Sequence, residues 1–216
     1  WLKQAVLAKA HFFPSSPQPS PQPATMRSTR LACAAVSLLL LAALDKSLGP
    51  AQVWSTPART SISEEEVLAA QKAWGDALVS ISLTYEHLGF EAAKALAEQV
   101  IDGAYGYGVG PVLFKPTLTK QPQTFRTTRE GALAYFVGGD SNFPDDTGFA
   151  LKGWRQVDIV NSAIFRDGNT AVTVGNVLIT DKSGAVTKVD KTWAYYKGRD
   201  GKLRIISHHS SLPFAG

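Results

Sequence analysis

The sequence predicts an α+β domain in which helices come first and a long, strongly curved antiparallel sheet follows. Three observations carry this. Apolar residues recur at helical spacing in the first half, then alternate with a period of two from Trp154 onward. Two Ser/Thr-x-x-Glu boxes, Ser63–Glu66 and Thr127–Glu130, mark helix starts. Three short separators rich in Gly, Asp and Asn divide the second half into strands, and these residues tolerate the positive φ of hairpin turns.

The elements follow in order. After Ser63, the residues Val67, Ala70, Trp74, Leu78, Ile81, Tyr85 and Leu88 share one helical face up to Gly89. Acids in the first turn suit the helix dipole. A second helix carries Ala93, Leu96, Ala97, Val100 and Ala104, and the glycines from Gly103 to Gly110 break it. Pro111 to Thr119 reads as a strand bent at Pro116. Gln123 to Arg126 is a short extended piece. A third helix runs from the box at Thr127 through Tyr135 and Phe136 to Gly138-Gly139. Residues 139–150 read as a polar loop. Strands are predicted at 154–165, 170–180, 185–197 and 202–211, divided by Asp167-Gly-Asn169, Lys182-Ser-Gly184 and Gly198–Gly201. One face of such a sheet must be covered, and the helices can cover it. A curved sheet over a long helix makes a cone with an open mouth.

Composition narrows the function. Hydrophobic residues make up 44% of the chain, enough for a proper core. Five of the 22 bases and one of the 18 acids lie in the first 50 residues, so the rest carries 17 of each. That near-neutral remainder lacks the basic footprint of a nucleic-acid binder. The single cysteine, Cys33, lies in the leader, so no disulfide or thiolate metal site is expected in the domain.

Residues 1–25 read as an upstream extension before Met26, the only methionine. Met26 is followed by Arg-Ser-Thr-Arg and then by the apolar run Leu31–Leu44. A short basic stretch before a run of that length is the layout of a secretory signal. The run stops short of the ~20 residues a bilayer crossing needs. Residues 26–60 are therefore assigned to a signal or targeting leader and linker, with a plastid as one destination, and residues 61–216 to the domain. No membrane contact is expected of the mature form.

The candidate chemistry gathers in the last strand, Lys202 to Ser211. Alternation puts Ile206, His208 and Ser210 on one face, and Ile205, Ser207, His209 and Ser211 on the other. His208 and His209 therefore cannot easily share one metal, and no third ligand falls at zinc-site spacing. No Gly-x-Ser-x-Gly elbow exists. Gly103-Ala-Tyr-Gly-Tyr-Gly108 has the wrong spacing for a phosphate loop and reads as a flexible connection. Two readings remain. Either Thr117, Tyr135, His208 and Ser210 meet in a hydrogen-bonding pocket, or a histidine pair decorates a strand end; on residue types alone the second is the commoner outcome.

Longer motifs add to this. Phe114-Lys-Pro-Thr-Leu-Thr119, Phe136-Val-Gly-Gly139, Thr147-Gly-Phe-Ala-Leu-Lys152, Trp154-Arg-Gln-Val157, Gly175-Asn-Val-Leu178, Asp190-Lys-Thr-Trp193 and His208-His-Ser-Ser-Leu-Pro213 resemble the iota-class carbonic anhydrases of algae, diatoms and cyanobacteria. The resemblance runs from about residue 64 to the end. It implies a cone like that of nuclear transport factor 2 (NTF2), a homodimer, and reversible hydration of CO2 to bicarbonate. It implies catalysis without a metal, although diatom relatives are linked to manganese. It places the family's catalytic residues on Thr117, Tyr135, His208 and Ser210. In such a site His208 could take the proton from water while the three hydroxyls donate to the oxygens. Two other readings share the cone: an association domain without catalysis, and a ketosteroid-type isomerase, for which Asp158 is the candidate base.

Overall fold

The computed structural model describes residues 61–215; the expectations for the leader, Met26 and Cys33 lie outside them. Helix α1, Glu64–Leu88, starts at the predicted capping box. Glu66 N donates to Ser63 Oγ at 3.2 Å, and Ser63 N donates to Glu66 Oε2 at 2.9 Å. Its core face includes Val67, Trp74, Leu78 and Ile81, and also the polar Gln71 and Ser82. Each polar intruder has partners. Gln71 donates to Asn161 and Thr173, and Ser82 Oγ accepts from the Trp154 backbone at 2.8 Å. The expected apolar stripe runs off the core at its end, where Tyr85 and Leu88 are exposed.

Helix α2, Phe90–Ala104, buries Ala93, Ala97 and Ile101. Helix α3, Arg129–Val137, is capped one residue later than the sequence suggested: Thr128, not Thr127, accepts from Gly131 N. The loop after it is less plain than its composition. Asp146 forms a buried ion pair with Arg126 at 2.8 Å, tying residues 123–126 to the loop. Burial nevertheless raises the Asp146 carboxyl above its usual range, against the pull of Arg126.

The sheet has five strands in the order β1-β5-β4-β3-β2. Strands β2 (Trp154–Asp167), β3 (Thr170–Asp181), β4 (Val186–Lys197) and β5 (Leu203–Ser211) form the predicted antiparallel meander. Strand β1 departs from expectation. Only Leu113–Lys115 pairs, and it pairs parallel to β5, with Phe114 opposite His208. Pro116 has no N–H to continue the ladder.

The sheet wraps around α1. Gly75 lies against Val157 of β2, while its neighbour Trp74 touches His208 of β5. Those strands stand three places apart in the sheet, about 14 Å if it were flat. One helix turn reaches both only because the sheet is bent. Two of the three register shifts fall mid-sheet and help, since bulges increase local twist. At the first, Asn161 pairs with Gly175 and Ala163 with Val174; a side chain on Gly175 would run into the Val160 carbonyl. At the second, Ala194 pairs with Ser207 and Tyr195 with Ile205. The extra residue is Ile206. Strict alternation put Ile206 on the His208 face; the bulge instead turns Ile205 inward, buried with His208 and Ser210.

Candidate active site

The inner faces of β1, β5 and β4 align three aromatic rings. Phe114, His208 and Trp193 are successive cross-strand partners. The His208 ring stacks on Phe114 at 4.5 Å between centroids and meets Trp193 at 5.5 Å and Trp74 at 5.6 Å. Only 2% of His208 is exposed, whereas His209 is exposed on the outer face. The predicted division of the two histidines between faces is observed.

A line of hydrogen bonds runs through this aromatic box. Trp74 Nε1 donates to Tyr105 Oη at 3.0 Å. Tyr105 Oη lies 2.9 Å from His208 Nδ1, and His208 Nε2 lies 3.4 Å from Ser210 Oγ. Burial dominates the titration of both central groups. It holds the Tyr105 phenol protonated well beyond the usual range. It also pushes the His208 imidazole well below its usual value, with smaller pushes from Lys191 and His209. His208 is therefore a neutral ring at physiological pH.

Thr117 and Tyr135 approach from the β1 side. Tyr135 packs edge-on against Phe114 at 5.7 Å and stacks on Phe149 at 5.3 Å. Its hydroxyl is buried and makes no hydrogen bond to the described residues. Burial raises its pKa, partly offset by polar groups of Thr117 and Leu118 beside it. Thr117 is half-buried, just past the end of β1. Ser210 is buried, and its carbonyl accepts from Lys115 Nζ at 3.1 Å. Thus His208 and Ser210 are directly linked, and Thr117 and Tyr135 form a second pair separated from His208 by the Phe114 ring.

Lys191 faces Ser210 across the β4–β5 ladder. Its ammonium sits 4.1 Å over the Trp74 ring and 4.9 Å from that of Trp193, and none of the described ion pairs includes it. Burial lowers its pKa to about 7.

Sequence reasoning missed Trp74, Tyr105 and Lys191. Tyr105 lay in the glycine-rich stretch read as a flexible connection; in fact it is fully buried and bridges to Ile205. The available signal was an aromatic residue at the end of an apolar helix face. Lys191 occupies a core-facing position of an alternating strand, which its charge disguised. Asp158, the candidate isomerase base, lies exposed on the outer face and accepts from Gln156. His87 is exposed at the end of α1. Among the described residues no three His, Cys, Asp or Glu side chains are grouped to hold a metal ion, and no helix is long and apolar enough to cross a membrane. An open groove on the outer sheet face, lined by Val174, Asn176, Asp190, Thr192, His209 and Ser211, holds none of the four predicted site residues.

Residues 65–212 match the family described as metal-independent carbonic anhydrase. The chain belongs to that family. A protein of that name from Nostoc sp. (strain PCC 7120 / SAG 25.82 / UTEX 2576) is 68% identical over 154 residues, covering 71% of this chain and 75% of the relative. The crystal structure of a cyanobacterial iota-carbonic anhydrase complexed with bicarbonate is 67% identical, with a TM-score of 0.72 over 72% of this chain and 95% of that one. A more distant structure, an NTF2-like protein with a cystatin-like fold from Novosphingobium aromaticivorans, has 14% identity and a TM-score of 0.44 over 70% of this chain and 82% of its own. The iota-class resemblance read from the sequence therefore holds, and the helices-first α+β fold with its bent sheet is the one described above. As a carbonic anhydrase of the metal-independent family, this enzyme does not call for the manganese linked to diatom relatives.

Proposed function

We propose that this carbonic anhydrase hydrates CO2 reversibly to bicarbonate at the inner face of β5, with Thr117, Tyr135 and Ser210 donating hydrogen bonds to the substrate oxygens. The activity rests on family membership. The residue roles rest chiefly on one observation: the Tyr135 hydroxyl is buried and unpartnered. A buried donor left without an acceptor costs about 1–3 kcal/mol, which an oxygen of bound substrate would relieve. Aromatic walls from Phe114, Phe149 and Trp74 suit a nonpolar triatomic molecule.

In hydration, water oxygen attacks the carbon, a C=O electron pair moves onto oxygen, and one proton leaves. Donors aimed at the developing negative oxygen stabilise that charge. His208 fits the proton-accepting role poorly, contrary to the expectation from sequence. Both of its nitrogens are engaged, by Tyr105 and by Ser210, and burial makes it a weak base. Lys191 stands opposite Ser210 in the β4–β5 ladder with its ammonium over the Trp74 and Trp193 rings, and burial lowers its pKa to about 7; we assign the proton to it on that placement.

Stopped-flow CO2 hydration on chelator-treated protein tests this. Full activity is expected with chelator, and a fall of roughly 10²–10³-fold in Tyr135→Phe and in Thr117→Val, the scale of one lost oxyanion donor. Chelator-sensitive activity, or two unaffected variants, would contradict it. Complete inactivity would favour the association-domain reading.

We also infer a homodimer through the outer sheet face, where Val160, Phe165 and Val174 are exposed. Sedimentation should give twice the chain mass, and Val174→Lys should lower it. Entry to the secretory route, and from there a plastid, is our reading of Met26–Leu44. A fluorescent fusion of residues 26–60 is expected to leave the cytosol.

A further inference from the structure

The direction of each hydrogen bond around His208 follows from counting protons. Trp74 Nε1 can only donate, so Tyr105 Oη accepts at 3.0 Å. The single Tyr105 proton then needs an acceptor, and the described partner is His208 Nδ1 at 2.9 Å. An imidazole accepting at Nδ1 carries its own proton on Nε2. That proton points at Ser210 Oγ, 3.4 Å away. The opposite tautomer, with Nδ1–H donating to Tyr105, would leave a fully buried hydroxyl proton with nothing to receive it. Once Ser210 Oγ accepts from Nε2, its own proton is free to point elsewhere.

We propose that Trp74 and Tyr105 are positioning residues that lock His208 in the Nε2–H tautomer, so that Ser210 presents its hydroxyl proton to the substrate oxygen. The relay runs one way: Trp74 to Tyr105 to His208 to Ser210 to substrate. It joins α1, the segment after α2 and β5, which explains why a tyrosine from a glycine-rich connection is fully buried. Stacking of Phe114 on one side of the ring and the Trp74 and Trp193 contacts keep it from turning over. Tyr105 and Trp74 do not touch substrate in this account; they act through His208. The catalytic part of the proposal rests on the function proposed above, but the tautomer does not.

Two readouts keep those parts distinct. In a long-range 1H–15N correlation spectrum of the labelled full chain, the His208 ring is expected to show a protonated Nε2 and an unprotonated Nδ1. Tyr105→Phe removes the Nδ1 donor; Trp74→Phe leaves space beside Tyr105 Oη for a water that can receive the Tyr105 proton and so lets Oη accept from Nδ1–H, and each should give mixed or reversed nitrogen shifts. Hydration kcat should fall roughly 10–100-fold in both, the range seen when a histidine loses the group that orients it, with KM changed far less. A melting curve establishes that each variant is folded, and Trp74→Phe carries the test if Tyr105→Phe does not fold. A wild-type spectrum with Nδ1 protonated would overturn the proposal. So would a folded variant with unchanged nitrogen shifts. Reversed shifts with unchanged kcat would retain the relay as structure and overturn its part in catalysis. A wild-type protein with the expected tautomer but no hydration activity would overturn the function proposed above and leave the tautomer lock standing.

Discussion

His208 and His209 share a peptide bond and little else. His208 is enclosed by Phe114, Trp193, Trp74 and Tyr105, and its ionisation is suppressed by burial. His209 is exposed on the outer face, opposite Thr192 of β4. Ser210 and Ser211 repeat the contrast, one buried beside His208 and the other lining the open outer groove. β4 shows it again with Lys191 and Lys188. The residue types are the same on both faces. What differs is dielectric and partners, and those decide whether a side chain carries chemistry or lies on a surface.

The contrast can be broken at its strongest point first. Ser210→Ala should lower CO2 hydration by about 10²–10³-fold through loss of an oxyanion donor. Ser211→Ala should stay within a factor of about two, because a half-buried serine on the outer face has no such task. Stopped-flow rates on both variants check this, and equal losses would erase the distinction between faces.

A stability test sharpens it next. The unfolded chain holds the Lys191 proton up to about 10.4, whereas the folded protein releases it near 7. Wild-type stability should therefore rise with pH across that window. Lys191→Met removes the buried charge, so it should stabilise the protein at pH 6 by on the order of a few kcal/mol, with the gain shrinking toward pH 10. Lys188→Met, at an exposed position, should change little. Urea unfolding at pH 6 and pH 9 reads both.

The smallest effect concerns acid. His208 stays neutral when folded but protonates near 6.5 when unfolded. It contributes stability that is present above about pH 6.5 and lost as pH falls below it, at up to about 1.4 kcal/mol per pH unit. His208→Gln should flatten that part of the stability profile, and His209→Gln should leave the wild-type slope.

Much of this was legible in the chain. The capping box at Ser63, the switch of period at Trp154 and the glycines of the three hairpins reported local preferences that the fold keeps. Alternation was enough to separate His208 from His209. It failed at Ile206, because a bulge adds a residue without a mark in the sequence. The parallel pairing of β1 with β5 was also hidden, since it joins residues nearly a hundred apart and no turn announces it. The burial of Arg126 and Asp146 was hidden too, since each is buried only because the other pairs with it. Within the candidate site, Thr117, Tyr135, His208 and Ser210 were proposed from strand alternation and family motifs. Tyr105 and Lys191 were obscured by glycine neighbours and by charge.

The most direct test of the account is the loss of 18O from labelled CO2, followed by membrane-inlet mass spectrometry on chelator-treated protein. Wild type, His208→Ala and His209→Ala are compared side by side. Rapid exchange in wild type, near-wild-type exchange in His209→Ala and a loss of about a hundredfold or more in His208→Ala are predicted, in line with removing the support of an oxyanion donor. Exchange that survives in His208→Ala but fails in His209→Ala would put the chemistry on the other face of the strand and contradict the account.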